Sequence, residues 1–318
     1  MNDQIRTEET PVRVFALTRR FGKKTALDDV SLDVRPGRVF GLVGENGAGK
    51  TTLMRHVMGL LRPNAGSVFV FGYNPVTQPE QALERIGYLS ENRDLPNWMR
   101  VRDTLAFTKP FFPDWDDRFA EELREMFGLD PTEKVKSLSR GQRAQLGLTL
   151  ALAHRPPLLV LDEPSSGLDP VVRRDILTAI IRTVADEGRP VFLSSHLLDE
   201  VECVADDVAL LHNGRVLFSA PLEDVKARYH FFTFRLKDND GPPLLPKEAL
   251  ALRRIADEWT LMWIGDKEAA RALLAEKQAT IVEESAPSLE DIFISHIRPG
   301  DPAAIPMSAK SGAKRRAC

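Results

Sequence analysis

The sequence is poor in cysteine and has no long apolar run. Cys203 and Cys318 are its two cysteines, and their wide separation matches no metal or redox motif. This usage excludes a disulfide-stabilised secreted scaffold and fits a reducing cytosol. No apolar run approaches the roughly 18 residues that a membrane-spanning helix requires, and the first residues, "MNDQIRTEET", are too polar and acidic for a signal peptide. We therefore expect the chain by itself to be soluble.

A large excess of charge of either sign is also missing. The 318 residues include 43 Lys and Arg against 46 Asp and Glu, so the net charge is −3. Because no global positive field is present, no nucleic-acid partner is expected. The one basic cluster, in the tail "AKSGAKRRAC", is interpreted as a solvated chain end.

Residues 12–218 read as short strands alternating with helices. The strand candidates are rich in Val, Leu and Phe, and two of them, "VFGLV" and "LLVLD", are apolar throughout, as strands covered on both faces must be. The stretch 92–155 lacks strand signals and carries helical patterns such as "DWDDRFAEELREMFGLD". We therefore predict an α/β nucleotide-binding domain over residues 1–228, with a mixed sheet core and a helical subdomain inserted at 92–155.

The composition changes near Tyr229. The strand candidate "FFTFRL" is followed by the linker-like "KDNDGPPLLP", a helix pattern, the strand "WTLMWIG", a helix, the strand "TIVEE" and the helix "SLEDIFISHI". This order predicts a small α+β accessory domain over residues 229–297. The segment 298–318 is polar and rich in small residues, and is predicted to be disordered.

A glycine-rich segment, "GENGAGKT", follows the strand candidate "VFGLV" and opens a helix. It matches the pattern of a phosphate-binding loop, in which successive backbone N–H groups and the helix N-terminus face a phosphate. Lys50 would reach the β- and γ-phosphates, and the Thr51 hydroxyl would bind Mg²⁺. The predicted ATP-binding residues of this region are Gly44, Glu45, Asn46, Gly47, Ala48, Gly49, Lys50, Thr51 and Thr52.

An acidic pair follows the buried strand candidate "LLVLD". Asp162 would hold Mg²⁺ directly or through water, and Glu163 would be the general base that polarises the attacking water. Alone, such a pair is often just the start of a loop. Together with a phosphate loop it indicates hydrolysis of a nucleoside triphosphate.

A second candidate anion site lies about ninety residues downstream, in "SLSRGQ". Ser139 and Gly141 stand at the start of a predicted helix, where hydroxyl and N–H groups can hold an anion. Because the phosphate loop looks complete without them, the sequence leaves open which phosphate these two residues would bind.

These motifs together resemble the ATP-binding cassette (ABC) ATPases, a family of P-loop NTPases. "GENGAGKTT", "SLSRGQ", "LLVLDEPSSGLDP" and "LSSH" occur in the order of that family, over residues 12 to 220. The ending "SLEDIFI" more loosely resembles the accessory domain of ATPase subunits of export-type transporters. The resemblance implies ATP and Mg²⁺ as cofactors.

The resemblance also implies roles that the residues alone leave open. Phe21 would stack on adenine, although a core phenylalanine before a turn is the alternative. Asp169 would lie in the loop that links two cassettes, although it also suits a helix N-cap. His196 would contact the γ-phosphate. Ser139, Gly141 and Gln142 would face the nucleotide of a second cassette subunit, either an identical copy or a paralogue.

Two residues depart from the family pattern. Glu91 stands where glutamine is usual; a carboxylate can still bind Mg²⁺ or position water, but it adds negative charge near the phosphates. On this reasoning Glu91→Gln preserves or raises activity. Arg140 replaces a glycine of the segment "SLSRGQ", here called the signature, and its added cation either assists binding or points to solvent.

The implied function is ATP hydrolysis coupled to export through a separate integral membrane subunit, at the cytoplasmic face of the cell membrane. The aromatic segments "ENRDLPNWMRV" and "FTKPFFPDWD" are candidates for the surface that receives this partner, with core packing as the alternative. A soluble ABC protein acting on ribosomes or nucleic acid is a rival reading, which the mild negative charge disfavours. A regulatory binder without hydrolysis is another, which the acidic pair disfavours.

Overall fold

The structure is a computed structural model that describes residues 10–236 and 246–298, with the backbone alone at 184–187. The predicted disordered tail beyond residue 298 and most of the linker-like segment lie outside the described residues. The chain divides into two compact units between Ser219 and Ala220. We expected the boundary after residue 228, and the domain limits stay a prediction.

The first unit contains a three-stranded antiparallel sheet of order β2-β1-β4 and a six-stranded sheet of order β5-β6-β7-β3-β8-β9. In the larger sheet, β3 pairs in parallel with β7 and β8, and β6 pairs in parallel with β5 and β7. The strands are β1 (Val12–Phe21), β2 (Lys24–Val34), β3 (Val39–Val43), β4 (Ala65–Val70), β5 (Ile86–Leu89), β6 (Leu158–Asp162), β7 (Val191–Ser195), β8 (Asp207–His212) and β9 (Arg215–Pro221).

Seven helices accompany these strands in the described part of the first unit. They are α1 (Lys50–Val57), α2 (Pro79–Leu83), α3 (Val101–Thr108), α4 (Asp117–Met126), α5 (Arg140–Leu152), α6 (Pro170–Glu187) and α7 (Leu198–Val204), with short 3-10 helices at Lys109–Phe111 and Val135–Ser137. Because β5 and β6 are adjacent in the sheet, helices α3 to α5 form an insertion between two neighbouring strands, at the place where strand signals are missing from the sequence.

One apolar core draws on both sheets of this unit and on α1. Every residue of β3, β6 and β7 is buried, as the apolar sequences of β3 and β6 predict. Phe40 of β3 and Phe192 of β7 pack edge to face, with ring centroids 5.6 Å apart. The predicted site residues follow the carboxyl ends of these strands, with the glycine-rich loop after β3, Glu163 after β6 and His196 after β7.

The second unit is an antiparallel sheet of order β11-β12-β10-β13 with helices. Its elements are α8 (Leu222–Ala227), β10 (Tyr229–Arg235), β11 (Ala249–Ile255), β12 (Glu258–Ile264), α9 (Lys267–Glu276), β13 (Thr280–Ser285) and α10 (Leu289–Ile297). It has its own core, which includes Phe232, Trp259 and Leu274.

One element of this unit contradicts the sequence interpretation. The sequence predicts a helix before "WTLMWIG", but this segment is strand β11. It pairs antiparallel with β12, with Leu252 opposite Leu261 and Ile255 opposite Glu258. Its alanines, leucines and arginines favour helix locally, and pairing with a buried neighbouring strand overrides that weak preference.

In the part of the chain that the structure describes, no helix is both long and apolar enough to cross a bilayer.

Candidate nucleotide site

The glycine-rich loop connects β3 to α1 and has the backbone of a phosphate-binding loop. Gly47 and Gly49 have φ values of 85° and 115°, and α1 begins directly after Gly49. A β-carbon added at Gly49 would lie 2.6 Å from the carbonyl oxygen of Ala26. Glycine is therefore required there by both the backbone conformation and the available space.

The side chain of Lys50 is buried in the centre of this loop. Its ammonium donates to the carbonyl oxygen of Gly44 at 2.6 Å and of Glu45 at 3.3 Å. It also lies 3.1 Å from Oε1 of Glu163. The ammonium thus lies at the inner surface of the loop, where a bound phosphate would contact it.

Glu163 follows the last residue of β6 and is fixed by β7. Its φ of 50° is left-handed, which is uncommon for a residue with a β-carbon and a strained conformation. Its N–H donates to the carbonyl oxygen of Ser194 at 3.1 Å. His196 Nδ1–H donates to the Glu163 carboxylate at 2.6 Å. The backbone and the carboxylate are therefore both held in place.

The residues predicted to hold Mg²⁺ fit a small oxygen-ligated ion. Oδ1 of Asp162 accepts from Ser194 at 2.6 Å and lies 3.4 Å from the hydroxyl of Thr51. Oδ2 of Asp162 is buried without a hydrogen-bond partner among the described residues. Burial raises the pKa of the Asp162 carboxyl, and hydrogen bonds from Ser194 and Thr51 oppose that shift. An orphaned buried carboxylate oxygen beside a hydroxyl suits a hard cation.

No group of three Asp, Glu, His or Cys side chains that could hold a metal occurs in the described ranges. A bound Mg²⁺ would therefore take its remaining ligands from phosphate oxygens and water, as this ion usually does in nucleotide sites.

The site contains a cavity of about 420 Å³, here called the nucleotide cavity, and Gly44, Ala48 and Asp162 are not among its lining residues. It is lined by Phe21, Lys24, Ala26, Glu45, Asn46, Gly47, Gly49, Lys50, Thr51, Thr52, Glu91, Glu163, Ser166 and His196. The phosphate loop, Glu91, the proposed base and the histidine thus open on one space.

Phe21 also lines this cavity, and it is not a core residue. Its ring is 45% exposed, which answers the alternative raised by the sequence. The guanidinium of Arg19 lies 4.5 Å from the ring centroid. A flat, exposed ring supported by a cation can stack on a base.

The signature residues do not line the nucleotide cavity in the described part of their own chain. Ser139 and Gln142 form a reciprocal cap at the start of α5, with Gln142 N–H donating to Ser139 Oγ at 3.1 Å and Ser139 N–H to Gln142 Oε1 at 2.9 Å. Gly141 packs against Val172, since an added β-carbon would lie 3.0 Å from it.

Asp169 likewise lies apart from this cavity. Its carboxylate accepts from the N–H groups of Val171 and Val172 at 3.0 and 3.1 Å, so it caps α6. Its side chain is exposed. This cap accounts for Asp169 within one chain, and its place in a contact with a second cassette stays a proposal.

Sequence reasoning missed two residues at this site. Ser194 links Asp162 to the Glu163 backbone, and its only signal is its place in "LSSH". Arg93 is buried and donates through Nη2 to the carbonyl oxygens of Pro164 and Ser166, at 2.9 and 3.1 Å. Nothing local in "ENRDLP" marks Arg93, because its partners lie about seventy residues away.

Comparisons with known proteins agree with this geometry. A family model described as ABC transporter matches residues 27–166. The bacitracin transport ATP-binding protein BcrA of Bacillus licheniformis is 31% identical over 242 residues, which cover 75% of this chain and 79% of the relative.

Solved structures give the same result for the fold. A structure of an ATP binding subunit of an ABC transporter has a TM-score of 0.63 at 28% identity, covering 69% of this chain and 92% of that one. The cassette MJ0796, a dimer in a post-hydrolysis state with ADP and Pi, has a TM-score of 0.60 at 20% identity, covering 66% of this chain and 98% of that one. At this identity the likeness shows the fold alone.

A phosphate loop after a buried parallel strand, with an acidic pair at the end of a second strand of the same sheet, defines a P-loop nucleotide-binding protein. The chain belongs to the ABC transporter family, as an ATP-binding subunit with ATPase activity. The predicted family, fold class and ATPase activity are thus confirmed.

Proposed function

We propose that this subunit hydrolyses Mg²⁺-ATP to drive export through a separate integral membrane subunit, at the cytoplasmic face of the membrane. The observation that carries the hydrolytic part is the direct contact of Lys50, Glu163 and His196 at the wall of the nucleotide cavity. A phosphate-binding cation, a base and the group that orients the base are then together in one place.

Each side chain has a separate task in this proposal. Lys50 and the N–H groups of the phosphate loop bind the β- and γ-phosphates. Thr51 and Asp162 hold Mg²⁺, and the ion supplies charge neutralisation at the phosphates. Glu163 accepts the proton of the attacking water, and His196 holds its carboxylate through Nδ1–H.

The base end of ATP would lie against Phe21. The exposed ring offers one face to adenine while Arg19 supports it from 4.5 Å. Because stacking depends on a π-face and not on a hydrogen bond, phenylalanine serves as well as tyrosine.

A second cassette subunit would complete the site. The exposed Ser139 and the α5 N-terminus stand outside the nucleotide cavity of their own chain, so they would cover the γ-phosphate held by a partner. Asp169 would lie in the same contact. A two-fold arrangement of this kind uses each surface twice and gives two ATP sites.

An apolar groove of about 630 Å³ is the surface we assign to the membrane subunit, here called the docking groove. It is lined by Met58, Pro79, Glu80, Leu83, Glu84, Ile86, Tyr88, Thr108, Phe111, Phe112, Pro113, Leu150, Ala151 and His154. Phe111 is 67% exposed, and Phe112 stacks on His154 with centroids 3.8 Å apart. These aromatics belong to "FTKPFFPDWD", whose exposure favours the partner-surface interpretation over core packing.

The chemistry of the groove suggests the occupant. Its floor is apolar and Glu80 and Glu84 stand among its lining residues, so an amphipathic helix with lysine or arginine beside its apolar face would fit. We assign this helix to a cytoplasmic loop of the membrane subunit. The export direction rests on the resemblance of the C-terminal segment alone.

Hydrolysis is tested with Glu163→Gln. Purified variant and parent are compared for ATP turnover and for ATP binding. We expect turnover to fall by about a hundredfold or more, because an amide cannot accept the proton of water, with ATP binding kept. Glu125→Gln, on the exposed surface of α4, is the matched control and should retain turnover. Parental turnover by Glu163→Gln would place the base elsewhere, with Glu91 as the first alternative.

The docking groove is tested by fractionation of the cells from which the chain comes. We expect Phe111→Asp to move the chain from the membrane fraction to the soluble fraction while its ATPase activity remains. Phe15→Asp alters an equally exposed aromatic outside the groove, 65% exposed, and should leave membrane association intact. Equal loss in both variants, or in neither, would contradict the assignment.

A further inference from the structure

The two residues that depart from the family pattern share one pocket. Glu91 and Arg140 line a space of about 420 Å³, here called the arginine pocket, together with Asn92, Arg93 and Arg143. In the sequence they are separated by almost fifty residues. Their meeting in one pocket makes them a pair, and the two opposite charges suggest compensation.

Arg93 connects this pocket to the loop at residues 163–167, which follows β6. It is 5% exposed, and Nη2 contacts the carbonyl oxygens of Glu163, Pro164 and Ser166 at 3.5, 2.9 and 3.1 Å. Its Nε and Nη1 have no hydrogen-bond partner among the described residues. The Arg93 guanidinium thus fixes the backbone that carries the Glu163 carboxylate. Its positive charge has to be balanced by groups beyond hydrogen-bonding distance.

Arg140 contacts the same loop from the signature side. Its guanidinium lies on Gly167, since a β-carbon added there would be 2.7 Å from Cζ of Arg140. Gly167 has a φ of 68°, so the loop turns sharply beneath the arginine. The departure from glycine at position 140 therefore adds a contact within the chain and is not simply a solvent-directed side chain.

Two guanidiniums on one short loop repel each other unless a negative charge is close. Burial lowers the pKa of Arg93, the positive charge of Arg140 lowers it further, and Glu91 acts in the opposite direction. Arg143 does not add to this contact, because its guanidinium donates to the backbone of its own segment, at Lys136 and Leu138.

We propose that Arg93 and Arg140 are positioning residues that hold the loop at residues 163–167 from two sides, and that Glu91 supplies the counter-charge which allows both arginines to stay there. The proposal rests on the assignment of Glu163 as the base. It explains the two departures together. With glycine at position 140 a neutral glutamine at position 91 is sufficient, whereas the added positive charge of Arg140 requires the negative charge of Glu91. It also reverses the sequence-based expectation that Glu91→Gln preserves or raises activity.

A double-mutant cycle on the intact chain tests this pairing, using Glu91→Gln, Arg140→Gly and the double variant. We expect Glu91→Gln alone to lower kcat by about fivefold with little change in the KM for ATP, and by less than about twofold in the Arg140→Gly background. Both positions are exposed, so the variants should fold. Arg143→Gln is the matched control, and the fivefold loss should persist in its background.

Each other result has a clear meaning. An equal loss from Glu91→Gln in both backgrounds would overturn the pairing and leave Glu91 with a role at the metal or water. Relief by Arg143→Gln as well would show that only the total charge of the pocket matters, which also overturns it. A change confined to the KM for ATP in Arg140→Gly would assign this arginine to nucleotide binding and not to the loop.

A readout that needs no hydrolysis separates this proposal from the proposed function. Amide hydrogen exchange of the nucleotide-free protein reports the mobility of the loop at 163–167 directly. We expect faster exchange there in Arg93→Ala and in Glu91→Gln, and recovery in Glu91→Gln with Arg140→Gly. Unchanged exchange in Arg93→Ala would overturn the positioning role even if Glu163 is the base. Accelerated exchange in a protein whose base proves to be elsewhere would leave the loop contact standing and reject only the assignment of Glu163.

Discussion

The ammonium of Lys50 lies 3.1 Å from Oε1 of Glu163, and both side chains are about 95% buried. The ammonium that would bind the phosphates is therefore paired with the carboxylate that would accept the proton of the attacking water. When a triphosphate binds in the nucleotide cavity, its phosphates replace Glu163 as the partner of Lys50. The same exchange frees the Glu163 carboxylate. Substrate binding and release of the base are thus expected to be one event.

Nucleotide affinity is predicted to depend on both members of this pair, in opposite directions. Lys50→Ala removes a charge-assisted contact to phosphate and should weaken ADP binding by about tenfold or more. Glu163→Gln removes the competitor for Lys50 and should bind ADP at least as tightly as the parent. Titration calorimetry with ADP, which is not hydrolysed, gives both values. Unchanged affinity in Lys50→Ala would contradict its assignment.

The Phe21 ring and the phosphate-binding residues are predicted to contribute separately to the affinity for ATP. Phe21→Ala should weaken ATP binding by about tenfold, since base–aromatic stacking is worth ~1–3 kcal/mol. The same variant should bind inorganic triphosphate like the parent, because that ligand has no base to stack on the ring. Phe21→Tyr keeps the π-face and serves as the control. Equal weakening for both ligands would mean that Phe21 supports the loop and not the base.

Dimerisation is predicted to require ATP and the signature segment. Because Ser139 is exposed and lies outside its own nucleotide cavity, Ser139→Glu should block closure on a partner's γ-phosphate by charge repulsion and keep monomeric ATP binding. Light scattering after size exclusion should show a dimer of Glu163→Gln in ATP and a monomer in ADP. A Glu163→Gln protein that stays monomeric in saturating ATP would point to a paralogous partner. Parental hydrolysis by Ser139→Glu would reject a site shared between subunits.

The second unit is predicted to lose stability in acid through one carboxylate. Hydrogen bonds from Arg271, and then from Lys267, lower the pKa of Glu284 to about 2. An unfolded glutamate titrates near 4.3, so the stabilisation is complete above about pH 4.3 and disappears as the pH falls towards 2.

The measurement is the thermal unfolding midpoint of Glu284→Gln against the parent. At about pH 6 the variant should unfold a few degrees lower, and the difference should shrink as the pH falls below about 4. Glu276→Gln, at the exposed end of α9, is the control and should show neither effect. A difference that does not change with pH would mean that the glutamate stabilises by packing.

The parts of this molecule that could be predicted are those that depend on neighbouring residues. Uniformly apolar strands such as β3 and β6 follow from short sequences, because burial on both faces leaves no polar position. The phosphate loop follows as well, since Gly47, Gly49 and Lys50 act through the backbone of one turn. Glu163 is predicted from the acidic pair that follows a buried strand in a chain with a phosphate loop, whereas the prediction for His196 rests on the family resemblance.

The parts that could not be predicted depend on partners far away in the sequence. Strand β11 has helix-favouring residues, and only its neighbour β12 makes it a strand. Arg93 looked like an ordinary loop residue, because the carbonyl groups that it holds follow β6. The link between Glu91 and Arg140 needed the fold in the same way, since no local pattern relates a position after β5 to the start of α5.

The strand order of the large sheet has a consequence for how the chain is made. Strand β3 lies between β7 and β8, so its first sheet partner is synthesised about 150 residues later, which takes roughly 8–30 s at 5–20 residues per second. The antiparallel sheet of β1, β2 and β4 is complete by Val70 and can form early. For the rest of that interval the ribosome carries a fully apolar strand with no partner. Nascent chains arrested before Val191 should therefore bind a chaperone, and chains arrested well beyond His212 should not.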